Sequence, residues 1–322
     1  MNKNTTLYDG INAFIENIKK SRPANTYNNY KSNLLGDLGF LSSLNPTVKP
    51  TSPIENLSDR HGVVYIQSLL DRNTSAATRA RAASCLRSFF KFAAYNYDLP
   101  LNIGRFTYAL ESMQLLAGPK DIIDYPGEKI QRVLDYTITM RASTLQDKRD
   151  LAFIWVIAET GLRVSEACAV KIGDIDRKHQ ISVVGKGAKP AVVTIGKKSR
   201  GFIVQYLNMR SALDKETGIP RSNLPLFARH DQTSGKNKIK PINPKKAQSI
   251  IHNIAMLALG DEYEEIITCH KFRHYFVTKV YQHRGDIKAA QQLARHEDIR
   301  TTQRYTHRDS EDNAKLSKEI FG

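Results

Sequence analysis

Residues 268–283 read TCHKFRHYFVTKVYQH, and the fold of the second half of the chain turns on this stretch. Phe272, Phe276 and Val280 recur at intervals of four, an apolar stripe that predicts a helix with one buried side. His270 and Arg273, three apart, share another face, which packing of the stripe aims outward or into a cleft. His274 and His283 raise a zinc site as an alternative. Against it stand the lack of an HExxH pattern and of a suitably placed acidic ligand.

Three other short stretches carry the same residue chemistry. Downstream, HEDIRTTQRYTH (296–307) is nearly all polar and places His296 nine residues before Tyr305. Arg300, Thr301 and Arg304 surround a tyrosine that no apolar neighbour demands for packing, although a half-buried structural tyrosine is the alternative. Upstream, in ETGLRVSEACAV (159–170), Gly161 ends one helix, and Arg163 and Glu166 share a face of the next. A surface salt bridge is the competing reading of that arginine. Between these lie QISVV and AVVTI, two short strands flanking GKGAKP (185–190), a hairpin with Lys186 at its tip. Such a lysine either projects into a partner's groove or serves solubility, and Lys189 is a second candidate in the same turn.

The remaining sequence is predominantly helical. Residues 5–18 carry Leu7, Ile11, Phe14, Ile15 and Ile18 on one stripe, and 25–44 and 63–71 are further helices. The segment from Thr74 to Pro100 has Thr74 as a cap, Leu86, Phe89, Phe90 and Phe92 as its buried side, and Pro100 as its stop. Its Arg79, Arg81, Arg87 and Lys91 could meet phosphates or simply form a solvated basic face. Gly118, Pro119, Pro126 and Gly127 interrupt the helical pattern and set a linker at 118–127 between domains 1–117 and 128–322. Beyond it come helices at 127–140 and 148–160, short strands at VKIGDID, QISVV and AVVTI, and helices again from 197. The polar loop ARHDQTSGKNKIKPINPKK could touch nucleic acid or be a solvated loop. The fold class is mainly α with a small β-sheet.

A chain of 322 residues exceeds one ordinary hydrophobic core, and its 41% hydrophobic content can fill two. Lys plus Arg number 48 against 32 Asp plus Glu, a net +16, which points to a polyanion, most simply nucleic acid. Both halves are basic, so both could face one polyanion; a ribosome-associated protein or a merely basic surface are the plainer options. Cys85, Cys168 and Cys269 form no CxxC pair, which argues against disulfides or a zinc-cysteine site and fits a reducing cytoplasm. The N-terminus lacks the apolar core of a signal peptide, and no uninterrupted apolar run is long enough to span a bilayer, so a cytoplasmic protein is expected.

Two arginines, a lysine, two histidines and a tyrosine, with no metal-ligand pattern and no Gly-rich ATP loop, suit transfer at a phosphodiester through a covalent tyrosyl intermediate. The transition state concentrates negative charge on nonbridging oxygens, which guanidinium forks contact while staying charged. The tyrosine hydroxyl, with a free pKa near roughly 10, must lose its proton during attack, and the departing sugar oxygen must gain one.

At this point the residues resemble the tyrosine recombinases, also called the phage integrase family, including Xer-type recombinases. TGLRVSEACAV is similar to the family's first-arginine motif, CHKFRHYFVT to its His-x-x-Arg motif, and ARHEDIRTTQRYTH to the segment with its second histidine and nucleophile. The resemblance implies a helical, SAM-like core-binding domain and an α+β catalytic domain forming a C-shaped clamp on DNA. It implies that Tyr305 attacks the scissile phosphate to leave a 3′-phosphotyrosyl link and a free 5′-hydroxyl. Arg163 and Arg273 would hold phosphate oxygens, His270 would act as base or phosphate ligand, and His296 would donate a hydrogen bond. Lys186 would be the general acid and Glu166 would orient the site. Because the phosphotyrosyl link conserves the broken bond's energy, rejoining would need neither ATP nor a metal, and no cofactor is expected. The expected partners are double-stranded DNA with a specific site and a homotetramer on synapsed DNA. Integration, excision and dimer resolution stay open. Residues 310–322, with Leu316, Ile320 and Phe321, would pack on a neighbouring subunit or on their own core. One departure is that Arg295 stands where the family commonly has glycine, which changes the turn or adds a DNA contact. A noncatalytic DNA-binding protein and a monomeric topoisomerase are the other readings.

Overall fold

A computed structural model describes residues 5–44, 48–117, 126–185, 190–230, 239–263 and 267–295. By its internal packing the chain divides into two units, 1–122 and 123–322. The expected linker at 118–127 lies almost wholly outside the described residues.

In the first unit the apolar stripes dictate five helices: α1 (Leu7–Ser21), α2 (Ala24–Leu35), α3 (Asp59–Asp71), α4 (Ala76–Tyr97) and α5 (Ile103–Ser112). Helix α1 starts where Thr6 accepts the Asp9 N–H and Asp9 accepts the Thr6 N–H, a reciprocal cap. Its stripe, Leu7, Ile11, Phe14, Ile15 and Ile18, is buried against Leu86, Phe89 and Phe90 of α4 and Phe40. Phe14, Phe40, Phe89, Phe90 and Phe106 meet as tilted and edge-to-face rings, with centroids 5.3 to 6.4 Å apart. Helix α2 is shorter than the expected 25–44: it stops before Gly36, and only a single tight turn follows at Leu41–Ser43. The cap of α4 is Ser75, which accepts the Thr78 N–H at 3.2 Å, rather than Thr74.

Arg79 is neither the expected phosphate contact nor part of a solvated basic face. It is buried, and its guanidinium donates to the carbonyls of Thr74, Leu115 and Ala117, tying the start of α4 to the chain after α5. At that position the helix turns inward, so the long side chain satisfies buried carbonyls and is withheld from any partner. Arg81 and Lys91 are exposed, while Arg87 is half-buried and donates to Thr107 at 3.1 Å.

The second unit is built around α7 (Leu145–Thr160), which is almost continuously buried from Leu151 to Thr160. A segment apolar on every face requires neighbours on every side. These include α6 (Gly127–Thr139), α9 (Lys197–Met209), α11 (Pro244–Leu259) and α12 (Cys269–Arg284). Helix α8 (Val164–Ala169) follows α7 directly, α10 (Ser211–Glu216) follows α9, and α13 (Ile287–Ala294) packs on α12 through Ala290, Ala294 and Val277. Strands β1 (Gln180–Val184) and β2 (Pro190–Thr194) pair antiparallel, with Gln180 opposite Thr194 and Val184 opposite Pro190. Ile181, Val183 and Val193 face the core.

The stretch VKIGDID is not the expected strand. It forms a tight turn at Ile172–Asp174, closed by the Lys171 N–H donating to Asp174 Oδ2 at 2.7 Å. Strand pairing is limited to isolated antiparallel bridges at its ends, Lys171 with Pro225 and Ile175 with Ile181.

Replacing Arg79 with Ala should cost about 2–3 kcal/mol by denaturant unfolding, since three carbonyls lose a charged donor, whereas Arg81→Ala should stay within about 0.5 kcal/mol. Equal costs would show that Arg79 is not a structural tie.

Candidate active site

The site begins at a corner that glycine makes. Helix α7 ends at Gly161, whose left-handed backbone (φ +59°) lets its N–H close on the Ile157 carbonyl. The sequence reading placed this helix end correctly. A Cβ on Gly161 would overlap the Phe276 ring, so glycine also permits α12 to approach. Two residues later Arg163 caps α8 from an extended backbone.

Glu166, in the first turn of α8, binds this corner together. Its Oε2 accepts the Arg163 backbone N–H at 2.9 Å, and its Oε1 pairs with Arg163 Nη1 at 2.9 Å. The Arg163 side chain remains about one-third exposed, while that of Glu166 is buried. A second guanidinium reaches the same carboxylate: Arg295 Nη2 donates to Glu166 Oε2 at 2.7 Å. Burial pushes the Glu166 carboxyl up, but the hydrogen bonds from the Arg163 N–H, Arg295 and the Arg163 guanidinium outweigh it. The pKa therefore lies below the ordinary 4.5.

Arg273 lies one turn into α12, and of the expected directions, outward or into a cleft, it does not take the outward one. The side chain is buried, with Nη1 donating to the Gly161 carbonyl at 2.5 Å and Nη2 to that of Ala294. The physical reason is reach: a long side chain beside the apolar stripe passes under the corner instead of out to solvent. His270, at the start of the same helix, does stay exposed. The Cys269 N–H donates to Gln248 Oε1 of α11, fixing this helix start, and the His274 ring lies edge-on at 4.2 Å from that of His270. Desolvation lowers the His270 pKa below 6.5, and the positive charges of Arg273, Lys271 and Arg163 lower it further. At neutral pH His270 is thus an uncharged imidazole able to accept a proton.

Arg163, Glu166, His270, Arg273 and Arg295 therefore meet at one place, contributed by α8, α12 and the end of α13. Lys186, Lys189, His296 and Tyr305 lie outside the described residues, as do Arg300, Arg304 and the 310–322 tail. Lys186 falls in the short connection joining β1 to β2, and His296 follows Arg295 directly in the chain. Sequence reasoning missed the Glu166–Arg295 pair and the carbonyl-bound state of Arg273. The one signal for the former was an arginine in place of glycine. Elsewhere in this unit, Arg149, Arg229, Lys245 and Lys246 line a basic cleft at the start of α11, beside the polar loop. Among the described residues no helix is long and apolar enough to cross a membrane.

Arginines reach the end of α7 from the starts of α8 and α12, which concentrates positive charge at this corner. The phage integrase family matches residues 126–312, and the phage integrase N-terminal SAM-like domain matches 11–96. The first match spans more than half of the chain, which therefore belongs to the phage integrase family, that of the tyrosine recombinases, enzymes of DNA strand cleavage and rejoining. It is 27% identical over 310 residues to a tyrosine recombinase XerC of Thermodesulfovibrio yellowstonii, covering 95% of this chain and 93% of the relative. It is 27% identical over 252 residues to a tyrosine recombinase XerD of Haemophilus ducreyi, covering 76% of each. In fold it is similar to the XerH site-specific recombinase bound to palindromic difH substrate (TM-score 0.68, 16% identity, covering 98% of this chain and 95% of that one). The Tn1549 transposon integrase in complex with transposon right end DNA is similar too (TM-score 0.70, 14% identity, covering 98% and 99%).

Two outcomes check the corner. Gly161→Ala should cost about 2–4 kcal/mol in denaturant unfolding, combining a left-handed backbone with overlap on Phe276. Because the Glu166 pKa is lowered on folding, its contribution to stability is present above the ordinary 4.5 and lost as pH falls through the folded value. Melting temperature measured against pH should therefore fall less steeply on the acid side for Glu166→Gln than for wild type. An unchanged acid slope would mean that the carboxylate is not held ionised by its partners.

Proposed function

We propose that the chain is a site-specific DNA recombinase that cuts and rejoins strands through a 3′-phosphotyrosyl intermediate on Tyr305 and a Holliday junction. The observation that carries this reading is the convergence of Arg163, held by Glu166, with Arg273 and His270 at the Gly161 corner, from motifs about one hundred residues apart, at the point where the chain leads into His296 and Tyr305.

In this reading Tyr305 Oη attacks the scissile phosphorus and forms the new P–O bond. The bond from phosphorus to the 5′ oxygen breaks, and that oxygen takes a proton from Lys186. Arg163 supplies its part-exposed guanidinium to the nonbridging oxygens. Arg273, whose guanidinium donates to the Gly161 and Ala294 carbonyls, contributes its positive charge from beneath. Neutral His270 accepts the tyrosine proton or ligates the phosphate, and His296 donates to it. Attack by the freed 5′-hydroxyl of another strand reverses the sequence and releases Tyr305, with no net loss of phosphodiester bonds.

The partner is double-stranded DNA carrying a specific site, held by a homotetramer on synapsed DNA. In the first unit Arg81, Lys91 and, in part, Arg87 remain as backbone contacts. The curated relatives matched over nearly the full chain are Xer recombinases, which favours exchange between two copies of one short site, as in resolving a replicon dimer or excising an element.

The test is incubation of wild type and Tyr305→Phe with nicked duplexes drawn from DNA flanking the protein's own gene, followed by denaturing gels. A covalent protein–DNA band in wild type alone is expected. A band in both, or in neither while both bind the DNA, overturns the nucleophile. For the acid, Lys186→Ala should cut cleavage roughly 100-fold and Lys189→Ala far less. A 5′-bridging phosphorothioate should restore the first, because a thiolate with a pKa of about 8.5 leaves without a proton.

A further inference from the structure

We infer that Arg295 is a positioning residue: by ion-pairing with Glu166 while its own backbone takes a left-handed turn, it latches the end of α13, and the chain leading into His296 and Tyr305, onto the Arg163 corner. The catalytic consequence rests on the recombinase reading above; the latch itself rests on geometry alone.

Arg295 caps α13 at φ +56° and ψ +46°, with its N–H on the carbonyls of Gln291 and Gln292. This backbone region suits glycine and is costly for a residue with a side chain. The side chain folds back to Glu166 Oε2 at 2.7 Å. The same oxygen accepts the Arg163 backbone N–H, so one carboxylate joins the first-arginine corner to the end of α13. From the other side Arg273 grips the preceding residue through the Ala294 carbonyl. The junction 294–295 is thus clamped by side chains of both arginine-bearing motifs, one residue before His296. In a relative with glycine at this position the backbone turn would form freely, but the side-chain half of the clamp would be missing.

The side chain is not arranged as a DNA contact. It is about 16% exposed, and Nε and Nη1 are buried with no hydrogen-bond partner among the described residues. One charged bond to Glu166 carries the latch, and a lysine ammonium can make one such bond, whereas a bidentate phosphate fork needs the guanidinium.

The experiment uses Arg295→Gly and Arg295→Lys in the full chain. Glycine removes the latch and keeps the turn, so the fold should survive. On a nicked duplex with which wild type becomes covalent, the single-turnover rate at saturating DNA should fall roughly 10- to 100-fold in Arg295→Gly. DNA affinity should stay within about threefold, the salt slope should not change, and Arg295→Lys should recover most of the rate. Hydrogen exchange should quicken in peptides spanning 287–295 of Arg295→Gly. A wild-type rate in Arg295→Gly overturns the inference. So does a weaker affinity with a salt slope reduced by about one, which would make Arg295 a phosphate contact. If wild type forms no covalent product on any duplex, the recombinase reading falls. Hydrogen exchange then judges the latch alone: faster exchange supports it, and unchanged exchange overturns it.

Discussion

The guanidinium of Arg273 is the interaction on which the rest of the second unit's geometry depends. It spans the Gly161 carbonyl at the end of α7 and the Ala294 carbonyl at the end of α13, and it projects from α12 between them. Three segments far apart in sequence are set by one side chain. A guanidinium suits this task because it stays charged when buried and its planar fork addresses two acceptors at fixed angles. Both carbonyls sit at helix ends, where backbone acceptors lack intrahelical partners and carry the negative end of the helix dipole. The cation is solvated by dipoles that would otherwise need water.

Glu166 makes the complementary tie. Arg163, Arg273, Lys271 and Arg295 bring positive charge to a small volume, and one buried carboxylate takes hydrogen bonds from two of them. Desolvation lowers the His270 pKa first, and the residual positive field lowers it further while favouring an anion. Site and scaffold are one network here, since the groups that hold the corner together also create the field.

In the first unit the same residue type meets opposite fates along one helix. Arg79 and Arg81 are two positions apart on α4, which places them on different sides: the first is buried on three carbonyls and the second is exposed. A basic segment therefore overstates the charge available to a polyanion. Some of it is spent inside, where burying backbone acceptors demands a donor.

The sequence by itself determined the helical character of both units, the hairpin strands and the helix end at Gly161. Each is a local property, written in apolar periodicity, turn residues and the conformational freedom of glycine. It also determined which residue types gather at the site, through the Arg163, His270 and Arg273 motifs. Tertiary structure alone decided that Arg273 is buried, that Arg79 is a strut, and that VKIGDID closes as a turn. It alone paired Glu166 with Arg295, 129 residues further along. These outcomes depend on which carbonyls and carboxylates lie within a side chain's reach once the helices have packed, and contacts between such distant residues leave no periodic trace in the sequence.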